Sequence, residues 1–229
     1  MTPGYRTLLS LFLLLEGILY LLFLSLDIIH ASGASTVVKY CALALCVAMC
    51  LPPCTAGRDG ALTAAALAFS LLADCFLLIL NRDYLLGVLL FLVVHLLHMA
   101  RIRAIGGWPG WLCLLLRTGL PAALLVCLWQ SGIWSPLFAA VCCYFPQLVC
   151  NVLESLTLRH RRSAWQILSG GLLLFLCCDL CVGLATLLAG QGSAPLYTAC
   201  WIFYLPAQIL LTLSAYSGLF YQRKEEPAL

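Results

Sequence analysis

Hydrophobic residues fall into eight long runs separated by short polar breaks, at about 7–28, 36–53, 61–80, 84–100, 110–130, 134–157, 165–189 and 195–221. Each run has the roughly 17–25 residues that a helix needs to cross a hydrocarbon layer of about 30 Å. The pattern predicts an all-α, polytopic transmembrane bundle of about eight helices. The runs consume nearly all of the chain, so a single transmembrane domain over 1–229 is expected, with no linker or low-complexity tract between segments. The first run has no basic n-region leading into a short apolar stretch and a small-residue cleavage site, so a retained helix is expected rather than a removed leader.

Polar residues inside these runs recur at helical spacing. Segment one aligns Glu16, Tyr20 and Asp27, segment three Ser70, Asp74 and Asn81, and segment six Gln147, Asn151 and Glu154. Segment seven puts Asp179, Gly183 and Thr186 on one side, and segment eight carries Tyr197, Trp201, Tyr204, Gln208 and Thr212 as a continuous stripe. A polar bundle interior follows, because such groups are costly against lipid. Interhelical hydrogen bonding is a sufficient role for Asn151, Thr186 and Thr212.

Composition sharpens the picture. Apolar residues make up 64% of the chain and charged residues 9%, the inverse of a soluble domain. If helices alternate, Arg6, Arg58, Arg101, Arg103, Arg159, Arg161, Arg162, Arg223 and Lys224 share one side, and only Lys39 and Arg82 lie on the other. Nine against two predicts that the basic-rich side, with both termini, faces the cytosol. The fourteen cysteines sit almost entirely inside apolar runs without the paired spacing of a zinc module, and read as packing residues.

The carboxylates ask for more. Asp74 lies six residues, roughly 9 Å, before the basic-poor end of segment three, and Asp179 about ten residues, roughly 15 Å, before the same end of segment seven. Tyr204 and Gln208 descend from that side through the same layer, so one pocket can hold all four. Arg117 enters from the opposite side, which leaves the two acids without a cation at their depth. Carboxyls arranged so are expected to retain a proton between them, the pairing that general acid/base chemistry uses. His95 and His98, at i and i+3, lack a third firm ligand, so a metal is not expected and a buried hydrogen-bonding role is. Gly-x-Ser-x-Gly, phosphate-cradling and Gly-x-Gly-Asp motifs are absent, which removes the local signatures of serine hydrolases, nucleotide binders and intramembrane aspartyl proteases. Phe69 before Asp74 and Phe175 before Asp179 hint at a parallel internal repeat.

In order along the chain, Ala65-x3-Phe69-Ser70-x3-Asp74-x2-Leu77, Asn81, Tyr84-x2-Gly87-x3-Phe91-x3-His95, Gly171-x3-Phe175-x3-Asp179 and Tyr204-x3-Gln208 resemble the YhhN-like family that contains the lysoplasmalogenases. Ala65, Cys178 and Tyr40 depart from its usual Gly, Ser and Pro. The resemblance implies an eight-helix hydrolase of the endoplasmic reticulum membrane. It implies cleavage of the vinyl ether bond of lysoplasmalogens to a fatty aldehyde and glycerophosphocholine or glycerophosphoethanolamine. It further implies Asp74 and Asp179 as catalytic, with Ser70, Asn81, His95, Tyr204, Gln208, Tyr197 and Trp201 in substrate-binding or supporting roles. The expected partners are a lysophospholipid and the bilayer, with no cofactor, metal or nucleic acid. Tyr197 and Trp201 suit either a choline head by cation–π contact or interfacial anchoring. A small-solute or lipid transporter with proton-relay carboxylates and a His/Asp zinc-dependent lipid hydrolase are the rival readings from the residues alone.

Overall fold

The computed structural model describes residues 3–106, 110–159, 165–188 and 194–225. Helices account for nearly all of them, and no strand occurs among the described residues. In chain order they are α1 (Pro3–Ile28), α2 (Ser32–Met49), α3 (Leu51–Cys54), α4 (Arg58–Asp74), a single π-helical turn (Cys75–Ile79), α5 (Tyr84–Gly106), α6 (Trp111–Gln130), α7 (Pro136–Arg159), α8 (Gln166–Leu187) and α9 (Ala194–Glu225). With α3 continuing α2 and the π turn continuing α4, eight helical segments are long and apolar enough to cross a bilayer. The protein is therefore a multi-pass membrane protein. His160, Arg161 and Arg162 lie outside the described residues.

Local chemistry explains the breaks. His30 adopts a left-handed φ of 58°, and the Ala31 amide donates to the Leu26 carbonyl (2.9 Å), closing α1. Pro52 and Pro53, at the first positions of α3, have no amide hydrogen to continue the ladder of α2. The hairpin from α3 into α4 is tight enough that a Cβ on Gly60 would sit 2.0 Å from the Pro53 carbonyl oxygen.

The core forms where α8 and α9 pack along their length. Leu168, Leu172, Phe175 and Cys178 meet Tyr204, Leu205, Ala207 and Leu211, with Phe23, Ala42, Leu148 and Val152 closing the cluster from α1, α2 and α7. Gly171 allows the approach, since a Cβ there would stand 3.2 Å from the Leu211 backbone nitrogen. Large apolar side chains on the outer faces, among them Leu14, Ile18 and Leu21 of α1 and Leu112, Leu115 and Val126 of α6, are exposed and suited to lipid.

Ion pairs lock the interior. Arg101 donates to both Asp59 oxygens (2.6 and 3.0 Å) and to Ser214 (2.7 Å), joining α5, α4 and α9. Arg117 reaches both Glu154 oxygens (3.1 and 2.8 Å), Gln147 Oε1 (2.9 Å) and Asn151 Oδ1 (2.8 Å), joining α6 to α7. Asn151 Nδ2 donates to the His95 carbonyl (2.8 Å), joining α7 to α5. Near the basic-poor end, Lys39 binds Asp27 (2.8 Å), joining α2 to α1. Full partnering is what makes such buried charge tolerable.

Two stripes end sooner than their spacing predicts. Asn81 does not extend the line from Ser70 and Asp74, because the π turn adds a residue to the repeat and the chain leaves the helix at Leu80. Asn81 is exposed, at φ 47°, and accepts the Tyr84 hydroxyl (2.5 Å). Gly183 and Thr186 are likewise exposed, and the Thr186 hydroxyl bonds back to Val182 of its own helix (2.9 Å).

Candidate active site

Asp74 is the last residue of α4, where the helix gives way to the π turn, and is 5% exposed. Its Oδ2 accepts the hydroxyl of Tyr204 from α9 (2.5 Å). Asp179, mid-way along α8 and half-buried, accepts the hydroxyl of Tyr144 from α7. The two carboxyls are within electrostatic reach of each other, and both act on the Tyr204 hydroxyl. Four helices thus deliver two carboxyls and two phenols to one region.

An aromatic wall surrounds them. Phe175, one turn before Asp179, packs edge-on against Phe91 (5.7 Å), His95 (5.0 Å) and Tyr204 (5.4 Å). His95 also meets Tyr144 (5.1 Å), and Trp201 meets Tyr204 (5.2 Å). The surroundings are largely apolar, so the few polar atoms in them interact strongly.

These two acids, like Glu16 and unlike the other acids whose side chains are described, have no cation. Asp27, Asp59, Asp83 and Glu154 each pair with Lys39, Arg101, Arg82 and Arg117 respectively. Asp74 and Asp179 form no ion pair among the described residues. Glu16, the remaining acid whose side chain is described, is buried in α1 and takes a contact from Cys46 Sγ (3.4 Å). A carboxyl held by a phenol rather than a cation can exchange a proton without stranding an opposite charge.

One turn before Asp74 on α4 and one turn after Tyr204 on α9 stand Ser70 and Gln208, both fully buried. Ser70 Oγ, both polar atoms of the Gln208 amide and both ring nitrogens of His95 have no hydrogen-bond partner among the described residues. The expected hydrogen-bonding role of His95 is therefore not seen; its ring is used for packing and its backbone carbonyl accepts Asn151. Orphaned buried polar atoms next to paired acids are what a substrate or water would satisfy.

Residues 34–215 match the YhhN family. The chain belongs to that family. No curated protein and no solved structure matches it.

Of the residues expected at a YhhN-family site, the fold brings Asp74, Asp179, Tyr204, His95 and Trp201 into one connected cluster, with Ser70 and Gln208 one turn away along the helices that carry Asp74 and Tyr204. Asn81 stands outside, for the reason given by the π turn. Tyr197, in the first turn of α9, is 52% exposed, which suits contact with the interface rather than the aromatic wall. Two contributors escape a reading of stripes that stops at formal polarity. Tyr144 lies three residues before Gln147 and extends the segment-six stripe by one step; its phenol counts as polar only when a partner is in view. Lys39 and Asp27 lie on different segments, and only the fold makes them a pair. The internal repeat is not matched in detail: Asp74 closes its helix before a π turn, whereas α8 continues through Asp179 to Leu187.

Proposed function

We propose that the protein is a lysoplasmalogenase, hydrolysing the vinyl ether of lysoplasmenylcholine or lysoplasmenylethanolamine. The observation that carries this reading is the pair of cation-free carboxyls, each bound by a phenol, inside a site walled by aromatic side chains. Family membership supports it. A vinyl ether reacts by protonation at its β-carbon: one carboxylic acid delivers the proton, and the electron pair of the ether oxygen forms the C=O bond of an oxocarbenium ion. The second, ionised carboxyl stabilises that cation and takes a proton from water as water adds to the α-carbon. The resulting hemiacetal collapses, its hydroxyl proton passing to the glycerol oxygen as the C–O bond breaks, to give aldehyde and glycerophosphodiester. Water is the sole co-reactant, and the balance needs no oxidant. The phenols of Tyr144 and Tyr204 hold the carboxyls in place, and the aromatic faces of Phe91, Phe175 and Trp201 suit a passing cation.

Purified protein in detergent, offered lysophospholipids with vinyl ether, alkyl ether and ester links, is expected to release free aldehyde from the vinyl ether alone. Only that link yields a resonance-stabilised cation on C-protonation. Comparable release of fatty acid from the ester would redirect the assignment to a lysophospholipase, and solute movement in sealed vesicles without any product would favour a transporter. The endoplasmic reticulum membrane is the setting that the family resemblance implies, and the nine-to-two distribution of basic residues argues separately for cytosolic termini. Tags on both ends should be digested by protease added to intact microsomes; their protection would reverse the orientation.

A further inference from the structure

The Lys39–Asp27 pair does more than join two helices. Lys39 Nζ donates to Asp27 Oδ1 (3.0 Å) and Oδ2 (2.8 Å), and Ser35 Oγ adds a bond to Oδ1 (2.5 Å). The same ammonium stands 5.2 Å from the ring centroids of both Phe23 and Trp201. An ammonium has three donors, and Asp27 is its only hydrogen-bond acceptor among the described residues, so its hydrogen-bonding capacity is not exhausted by Asp27 and the contact with the two rings. Asp27 is one residue from the end of α1, so the pair lies towards the basic-poor interface.

Trp201 links this pair to the carboxyls. It lies 5.2 Å from Lys39 Nζ and 5.2 Å from the ring of Tyr204, which binds Asp74, so Nζ and that ring are at most about 10 Å apart. In a lysophospholipid, six covalent bonds separate phosphorus from the first vinyl carbon, roughly 7–8 Å in extended form at the per-bond advance of a stretched chain. The bound admits a head group at Lys39 and a reacting bond near Tyr204 in one molecule. A cation already half-compensated by Asp27 suits a singly charged phosphodiester better than a dianion.

We propose that Lys39, standing against Phe23 and Trp201 and partly compensated by Asp27, is the subsite for the phosphodiester of a lysophospholipid head group. It fixes how deep the chain descends and hence which bond reaches Asp74 and Asp179. The position of the reacting bond rests on the function proposed above; the phosphate subsite itself is read by binding alone.

The test uses protein in nanodiscs and four probes: a saturated alkyl-ether lysophosphocholine, the matching alkylglycerol without phosphate, glycerophosphocholine without a chain, and inorganic phosphate. Wild-type protein should bind the ether lysophosphocholine at least tenfold more tightly than the alkylglycerol. Lys39→Gln should erase that preference by weakening the phospholipid about tenfold and leaving the alkylglycerol unchanged, and Lys39→Arg should retain most of it. Asp27→Asn leaves Lys39 without its counter-charge and should lower thermal stability, but it removes a competing anion, so the phospholipid affinity of the folded protein should be equal or higher. Equal wild-type binding of the two lipids overturns the proposal without reference to any variant. So does unchanged phospholipid affinity in Lys39→Gln, or a parallel fall for both lipids in Asp27→Asn, the mark of a pair that only joins helices. Inorganic phosphate or glycerophosphocholine competing as well as the lipid would make the site one for a free anion and overturn it too. Since no turnover is read, a wild-type protein that releases no aldehyde would defeat the hydrolase reading and leave this outcome legible.

Discussion

Two of the acidic residues are set apart from the rest by what holds them. Asp74 and Asp179 are bound by phenols, whereas Glu154 is bound through two oxygens by Arg117 and is 6% exposed. The same chemical change should therefore have opposite consequences. Asp74→Asn and Asp179→Asn keep shape and can still accept the phenol hydrogen bond, so folding and lysolipid binding should persist while turnover falls by about 10²–10⁴-fold, the usual worth of a general acid or base. Retention of more than about a tenth of wild-type turnover by both variants is too small a loss for that role and would contradict it. Glu154→Gln leaves Arg117 buried without its counter-charge, and removing one member of such a pair costs about 3–5 kcal/mol. Loss of thermal stability in detergent, rather than a selective loss of turnover in the surviving folded fraction, is the expected result. The sequence carried both aspartates legibly, since a carboxylate inside an apolar run needs a reason. It did not carry their partners: Tyr144 reads as one more aromatic, and the 5.2 Å approach of Lys39 to Trp201 spans segments that spacing cannot relate.

Helices were the easiest level to read, because twenty apolar residues have few alternatives in lipid. Expected runs at 7–28 and 110–130 correspond to Pro3–Ile28 and Trp111–Gln130, with differences confined to the ends, where polar residues still belong to the helix. What periodicity could not supply was a change of period. The π turn after Asp74 moves Asn81 off the stripe, and no residue in Cys75–Ile79 announces it. Close helix approach is similarly silent, since Gly60 looks like any loop glycine. It lies against the Pro53 carbonyl, where a Cβ would need the backbone to move. Gly60→Ala gains about 1 kcal/mol of helix propensity and should nonetheless destabilise, because forcing backbone apart in a packed hairpin costs about 1–3 kcal/mol and here meets a carbonyl oxygen head-on. A lowered unfolding temperature in detergent is the expected reading; a raised one would mean that the α3–α4 turn is looser than described.

Across the whole molecule, the arrangement separates charge that holds the bundle together in ion pairs from carboxyls that have no cation among the described residues. Arg101–Asp59 and Arg117–Glu154 tie α4, α5, α6, α7 and α9 through neutralised pairs, and the core between α8 and α9 sets Tyr204, which binds Asp74, and Asp179 on adjacent helices. That division could not be read from net charge or from hydropathy, both of which treat all carboxylates alike. The mechanism it supports has a specific isotopic consequence, because the proton that initiates cleavage becomes bound to carbon. Turnover of a lysoplasmalogen by the purified protein in D2O, with the aldehyde reduced by borohydride as it forms and analysed by mass spectrometry, should place one deuterium on carbon 2 of the resulting alcohol. An alcohol without that deuterium, or no aldehyde to trap, would contradict carboxyl-catalysed hydrolysis of a vinyl ether at Asp74 and Asp179.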